Sequence, residues 1–182
     1  MKKKILVLIL LLPFTLFAQK YITKNGSIVF YSSTAIENIE AHNNQVNAAL
    51  DLATGEFVFK VLMKSFEFEK ALMQEHFNEN YVESDKYPNA LFVGKITNVK
   101  EIDVTKNGVV TVQVEGSLTI KDVTKKINET GTITVKNGVL TGYSKFNIMP
   151  KNYNITIPKT VINNISENIA VTVNVILNKL NK

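Results

Sequence analysis

The chain has 182 residues, 45% of them apolar, and contains no cysteine. Its formal net charge is +5, from 21 Lys and Arg against 16 Asp and Glu, but the basic residues do not gather into a face interleaved with aromatic residues. Nucleic acid is therefore not expected as a partner, and the fold must be stabilised without disulfide bonds.

The first 18 residues predict a signal peptide. Met1–Lys4 is basic, Ile5–Phe17 is an apolar run, and Ala18 is a small residue that suits signal cleavage. The apolar run is too short to span a membrane, which takes about 20 residues. We therefore expect a periplasmic or secreted protein. Its mature chain, residues 19–182, forms one domain without stable membrane insertion after cleavage.

After residue 18 the sequence predicts β-strands separated by turns. Turn signals recur at Asn25–Gly26, His42–Asn44, Thr54–Gly55, Asn107–Gly108 and Asn137–Gly138, and Asn-Gly favours the positive φ of tight hairpins. Between them, alternating apolar and polar residues predict strands with one dry and one wet face. The predicted strands are Ser27–Tyr31, Ile39–Leu52, Glu56–Phe66, one beginning at Phe92, Val110–Ile120, Ile127–Val135, Leu140–Ile148 and Ile169–Leu177.

One segment, residues 69–81, breaks this alternation. Met73, Phe77 and Tyr81 are spaced by four and lie on one side of a predicted helix. About eight antiparallel strands, each with one apolar face, bury those faces together in a closed barrel or in a two-sheet sandwich. The length of the strands, and a helix placed where it can plug one end, favour the barrel.

An eight-stranded barrel is either filled by its own side chains or holds one small ligand. The residues predicted to face inward include several small ones, Gly94, Gly116, Gly131, Gly142 and Ser144. Small residues leave volume unfilled, whereas glycines also mark bends or receive the bulk of a neighbouring side chain. Taken together, the set favours a cavity.

Residues suited to catalysis or metal binding are scarce. The two histidines, His42 and His76, fall in different elements, and no Cys/His cluster exists, so neither a transition-metal site nor a cofactor is expected. The chain has no Gly-x-Ser-x-Gly elbow, no evident Ser/His/Asp set and no glycine-rich loop that opens a helix. We therefore do not expect an enzyme.

Three segments resemble the YceI-like family of exported proteins. They are residues 76–92, which contain Tyr87–Pro88 before a strand, Val114–Lys125, and Gly142–Ile148. The resemblance extends from Ser27 to about Leu177. It implies an eight-stranded antiparallel lipocalin-like β-barrel with a helix beside one opening. It also implies an amphiphilic ligand of polyisoprenoid or fatty-acyl type, with its tail in the lumen.

The chain departs from this family where a ligand head group would bind. Lys121–Asp122 stands where the family usually has His-Gly, and Met149–Pro150 where Asp-Arg is common. Glu129 lies in phase with Ile127 and Ile133, where an apolar residue is expected. Either a bulge turns its side chain outward, or it faces a polar patch in the lumen.

We therefore predict that the inner faces of the strands surround the tail of a lipid-like ligand. The predicted wall residues are Phe57, Phe59, Val61, Met63, Phe92, Val112, Val114, Phe146 and Ile148. Leu72, Phe77 and Tyr153 are predicted to close one end, with His76 as a head-group contact. The alternatives are a filled barrel that serves as a structural or interaction module of the cell envelope and, third, an enzyme acting on a lipid. A homodimer is compatible with the sequence.

Overall fold

The computed structural model describes residues 19–180, so the predicted signal peptide at residues 1–18 lies outside the described residues. Within them, none of the helices has the length and apolar character needed to cross a membrane. The strands and the α-helix are, in chain order, β1 (Lys20–Ser33), β2 (Asn38–Asp51), β3 (Glu56–Leu62), β4 (Glu67–Phe68), α1 (Ala71–His76), β5 (Asn89–Ile96), β6 (Gly108–Ile120), β7 (Val123–Lys136), β8 (Val139–Ile148) and β9 (Ile169–Lys179).

Eight long strands close into one antiparallel barrel. Their order around the barrel is β1-β9-β8-β7-β6-β5-β3-β2, and β2 pairs back with β1. The two-residue strand β4 pairs with β2 alone. Closure removes the two exposed edges that an open sheet would present. The predicted eight-stranded barrel is therefore confirmed over the sandwich.

Two hairpin turns use residues with positive φ. Asn137–Gly138, with φ of 51° and 78°, joins β7 to β8 as the sequence predicts. Lys121–Asp122, with φ of 49° and 58°, joins β6 to β7 in the same way although neither residue is glycine. Both residues of a type I′ turn need positive φ, so this second hairpin holds a lysine in an unfavourable backbone conformation.

Two predicted turns lie instead inside strands. Asn25–Gly26 belongs to β1, and His42–Asn44 belongs to β2. The β1–β2 register shifts on both sides of Gly26, as at a bulge. A Cβ atom at Gly26 would lie 2.7 Å from Cγ1 of Val175. This glycine therefore permits close packing at an irregular point of the strand.

The chain leaves the barrel after Leu62 and returns at Asn89, and we call residues 63–88 the cap. The predicted strand Glu56–Phe66 is too long, because Met63–Ser65 forms a 3₁₀ turn and the Met63 N–H donates to the Pro88 carbonyl at 2.9 Å. The helix predicted over 69–81 begins at Ala71 and is α-helical to His76. Phe77–Tyr81 continues it as a wider π-helical turn.

The barrel has two ends of different character. The end that carries the β2–β3 and β7–β8 turns, which we call the closed end, is filled by a buried apolar cluster. That cluster contains Tyr21, Ala48, Leu50, Phe57, Ile96, Ile102, Val112, Ile133, Val135, Leu140, Val175 and Leu177. The opposite end, which we call the helix end, carries the cap, the β6–β7 turn and the segment between β8 and β9. A second cluster, which includes Val61, Met63, Phe66 and Tyr153, lies there.

Candidate functional site

A cavity of about 410 Å³ occupies the barrel between these two clusters. Small-molecule sites typically measure about 300–1,000 Å³. Residues of the closed-end cluster, among them Val112, Ile133 and Val175, line its deep part. Cap residues and the segment between β8 and β9 line the other end. The wall is therefore almost wholly apolar, as a site for a hydrocarbon chain requires.

The inward glycines serve two purposes. Gly131, Gly142 and Ser144 line the cavity. At Gly94 and Gly116, however, an added Cβ would lie 2.6 Å from atoms of the Phe92 ring. These two glycines receive the bulk of Phe92 and do not enlarge the lumen. The first group lies in the cavity wall, as expected of small inward residues, whereas the prediction that small inward residues leave volume unfilled is wrong for Gly94 and Gly116.

The cap covers the helix end of the cavity with aromatic rings. The Phe77 ring lies with its centroid 5.5 Å from that of Phe30, 5.6 Å from Phe66 and 5.1 Å from Phe68. Centroid separations of about 4.5–7 Å are those of attractive aromatic pairs. Because β1 supplies Phe30, these contacts join the cap to the barrel wall.

Of the thirteen predicted site residues, eleven line the cavity. They are Phe57, Phe59, Val61, Met63, His76, Phe77, Phe92, Val112, Val114, Phe146 and Ile148. The expectation that Leu72 closes the lumen is wrong, because its side chain is 60% exposed. A helix turns by roughly 100° per residue, and Met73 takes the inward position. Tyr153 is buried within the helix-end cluster and does not line the cavity.

Several wall residues were missed by the sequence reasoning. Leu118, Val171 and Val173 share the alternating faces of β6 and β9, so the period-two pattern could have found them. Ile155, Ile157, Val161 and Ile165 lie between β8 and β9, where no periodic signal exists. Phe30 and Phe68 belong to irregular strands. Side chains from non-periodic segments thus complete the helix end of the cavity.

A polar cluster lies at the cavity mouth. The Lys70 ammonium donates to Glu37 Oε1 at 2.9 Å, and Asn164 Nδ2 donates to Glu37 Oε2 at 3.3 Å. The hydrogen bond from Lys70 is the main cause that lowers the pKa of Glu37. Nearby, the buried Ser32 hydroxyl accepts a hydrogen bond from the Ser166 N–H at 2.8 Å. These bonds join the cap, the β1–β2 loop and the β8–β9 segment around the mouth.

Lys121 links the cap to the β6–β7 turn. Its ammonium lies 2.5 Å from Glu83 Oε1 and donates to the Tyr81 carbonyl at 3.2 Å, with only 13% of the side chain exposed. The Lys121 hydrogen bond is the main cause that lowers the pKa of Glu83. The departure from the family's usual His-Gly at positions 121 and 122 therefore provides an anchor for the end of the cap helix.

Glu129 faces the cavity, in the middle of an unbroken strand pairing. The β6–β7 register runs without a shift from Gly108 to Ile120, with Glu129 opposite Val114. The β6–β7 pairing therefore contains no bulge that would turn the Glu129 side chain outward. The side chain faces the lumen, as the second of the two predicted alternatives states. Burial raises the pKa of Glu129. Within residues 19–180, its carboxylate has no hydrogen-bond or ion-pair partner.

The barrel wall is open beside Glu129. The pairing of β7 with β8 runs from Lys136 and Val139 only as far as Gly131 and Ser144. Beyond that point, residues 123–130 of β7 pair with β6 alone and residues 145–148 of β8 with β9 alone. We call the resulting gap the seam. The turn Pro150–Tyr153, which follows β8, contacts β7 across it.

Ligands for a metal ion are not gathered in the described part of the chain. Within residues 19–180, no three His, Asp or Glu side chains lie close enough together to hold one.

Known proteins share the family and the fold of this chain. A family model described as the YceI-like domain matches residues 21–177, whereas no curated protein matches the sequence. A polyisoprenoid binding domain from Saccharophagus degradans, implicated in plant cell wall breakdown, superposes with a TM-score of 0.78 at 11% identity, covering 90% of this chain and 99% of that one.

Two further solved structures share the fold. Burkholderia cenocepacia BcnA has a TM-score of 0.67 at 16% identity, and the match covers 84% of this chain and 96% of that protein. The Campylobacter jejuni YceI protein has a TM-score of 0.61 at 17% identity, covering 82% and 90% respectively. At such identities the likeness establishes a common barrel architecture.

Proposed function

This chain belongs to the YceI-like domain family, and we propose that it is a binding protein that holds the tail of an amphiphilic lipid in its barrel cavity. The ligand is of polyisoprenoid or fatty-acyl type. The family, together with a structural neighbour named as a polyisoprenoid binding domain, supports binding rather than catalysis.

The observation that carries the proposal is the unfilled apolar lumen. Phe59, Val114 and Phe146 point into a cavity of about 410 Å³ and are only half-buried although they face the inside of a closed barrel. Such side chains gain contacts and lose exposure when an apolar chain enters. A barrel packed solid by its own side chains, the competing hypothesis, would leave no such volume.

A long chain is needed to make this binding strong. Each buried methylene group contributes about 0.8 kcal/mol, so a tail of ten methylenes contributes about 8 kcal/mol. Association costs about 4–15 kcal/mol in lost translational and rotational freedom. A short alkyl chain would therefore bind weakly, and we infer a ligand with at least ten buried carbons.

The proposed function includes export to the periplasm or the cell exterior, directed by residues 1–18. A lipid tail is insoluble in an aqueous compartment, which is where a carrier of this kind is useful. The wall residues would contact the tail, and His76, at the exposed mouth, would approach a head group. Fractionation of the native host, with detection of the mature protein, tests the location.

The binding test uses the protein purified from its own host. Organic extraction followed by mass spectrometry should detect a long-chain lipid that purifies with the protein. After extraction, the emptied and refolded protein should bind an apolar fluorescent dye. Val114→Trp, which places an indole in the cavity, should abolish dye binding. The matched control is Val93→Trp on the outer face of β5, where the native side chain is 50% exposed; it should bind like the wild type.

The carrier function fails if neither lipid nor dye binds to the folded wild-type protein. Equal dye binding by both tryptophan variants would place the dye outside the barrel, and would also count against the proposal. Circular dichroism of both variants verifies that the barrel remains folded.

A further inference from the structure

We propose that Glu129 and the seam between β7 and β8 form a polar subsite for the ligand's head group, and that this subsite selects an uncharged or cationic hydrogen-bond donor, a hydroxyl or an amine, over an anion. The inference rests on the proposed binding function and narrows its ligand class.

Glu129 projects into the cavity. It lies on the inward face of β7, in phase with Ile127 and Gly131, and all three line the cavity. Its partner across the β6–β7 ladder, Val114, is also a wall residue. A carboxylate thus projects into a lumen that is otherwise lined mostly by apolar side chains. Because Glu129 is partly buried, its carboxylate has lost part of its hydration, which a hydrogen-bonding partner would replace.

Glu129 is free to bind a ligand group, unlike Glu37, the other carboxylate of the wall. Glu37 is already engaged by the Lys70 ammonium and the Asn164 amide. No charged group or hydrogen-bond donor among residues 19–180 approaches Glu129, and burial is what raises its pKa. A ligand group that donates a hydrogen bond would supply the missing partner.

The seam adds unpaired backbone groups beside Glu129. In an antiparallel sheet, alternate residues direct their N–H and C=O groups toward each neighbouring strand. Because β7 and β8 separate beyond Gly131 and Ser144, part of the backbone of residues 123–130 has no strand partner on that side. The Ser144 hydroxyl satisfies the first of these groups by donating to the Thr130 carbonyl at 2.9 Å. The remaining groups make the seam polar, so a head group beside Glu129 meets further hydrogen-bonding partners.

The charge of Glu129 sets the selectivity. Above its pKa the carboxylate accepts hydrogen bonds and repels anions, and in a partly buried site the effect is stronger than in water. Lys70 balances the charge of Glu37 at the mouth, but among residues 19–180 no cation balances Glu129. A hydroxyl or an ammonium group would therefore be favoured at this depth, and an ionised carboxylate or phosphate would be disfavoured.

The test compares three probes with the same tail: dodecanol, dodecylamine and dodecanoate. Each displaces the apolar dye from the wild type, from Glu129→Gln and from Glu115→Gln, below the micelle concentration and at a pH above the pKa of Glu129. Glu115 lies on the neighbouring strand, faces outward and is exposed, so its variant changes the net charge equally and serves as the control.

On the wild type, dodecanol and dodecylamine should displace the dye at about tenfold lower concentration than dodecanoate. The reason is that a hydrogen bond to a charged group raises affinity about tenfold or more. Glu129→Gln should bring the three probes to similar potency, mainly by improving dodecanoate and weakening dodecylamine. Glu115→Gln should keep the wild-type order.

Two results overturn the inference while leaving the carrier function intact. One is displacement by all three probes with equal potency on the wild type. The other is a preference that Glu129→Gln retains or that Glu115→Gln also loses. If neither the dye nor any probe binds the folded wild type, the proposed function itself fails, and the subsite fails with it.

Discussion

Replacing Phe77 by alanine should weaken the attachment of the cap. The Phe77 ring contacts Phe30, Phe66 and Phe68 at centroid distances of 5.1–5.6 Å. Of these three contacts, only the one with Phe30 joins the cap to the barrel wall, because Phe66 and Phe68 lie in the cap itself. The substitution removes all three at once and enlarges the cavity mouth.

The size of the effect follows from these contacts. Each aromatic pair contributes about 0.5–1.5 kcal/mol beyond the burial of its area, and Phe→Ala in a packed core costs about 3–5 kcal/mol. Phe77 is only half-buried, so the expected cost lies at or below the lower limit of this range. We expect a loss of about 2–3 kcal/mol in the free energy of unfolding, which lowers Tm by about 4–12 °C in a domain of this size.

Urea denaturation measures the change, with Leu72→Ala as the matched control on the same helix. Because Leu72 is 60% exposed, its truncation should alter stability by about 0.5 kcal/mol or less. The denaturation midpoint should fall for Phe77→Ala with an unchanged m-value, and the apolar dye should dissociate faster. A Phe77→Ala variant as stable as Leu72→Ala would refute the view that this ring holds the cap in place.

Two further predictions concern the barrel and its pH dependence. Gly94→Ala should destabilise the fold by about 1–3 kcal/mol, because its Cβ would clash with the Glu115 carbonyl oxygen. Gly108→Ala, whose Cβ would meet no atom within 4 Å, should be neutral or slightly stabilising in the same urea assay. The Lys121→Met variant should have a lower free energy of unfolding than the wild type near neutral pH, because it lacks the ion pair with Glu83. This difference should shrink as the pH falls through the lowered folded-state pKa of Glu83, since protonation of Glu83 removes the ion pair from the wild type as well. A difference that stays constant down to about pH 3 would contradict that assignment.

The alternation of apolar and polar residues along the chain predicts most of the fold. In β6, β8 and β9 the alternation of apolar and polar residues predicts strands whose inward faces do line the barrel, because one face of each must be buried. The same reasoning placed Val112, Val114 and Phe146 in the wall, where they are found. The helical spacing of Met73 and Phe77 likewise predicted which side of the cap faces inward.

Local signals failed where tertiary contacts override them. Asn25–Gly26 carries a strong turn signal, yet it lies in β1, because the strand continues through a bulge against Val175. Leu72 was assigned to the site for its apolar character alone, although its position one residue before Met73 turns it outward. The seam has no sequence signal at all, since strand separation depends on which partner each strand keeps.

The residues that break local rules gather at one end of the barrel. At the closed end, positive φ falls on Gly55, Asn137 and Gly138, residues that adopt it readily. At the helix end it falls on Asp122 and Asn154, which tolerate it, but also on Glu83 and Lys121. For Glu83 and Lys121 the left-handed conformation costs about 1–2 kcal/mol each.

Glu83 and Lys121 keep this unfavourable conformation while they form an ion pair with each other at the end of the cap. Glu129, whose carboxylate has no partner among residues 19–180, lies in the wall beside the seam. Violations of local preference accumulate where function requires them. The helix end, where the cap, the seam and the unpaired carboxylate lie, therefore matches the proposed ligand site, whereas the buried cluster at the closed end stabilises the barrel.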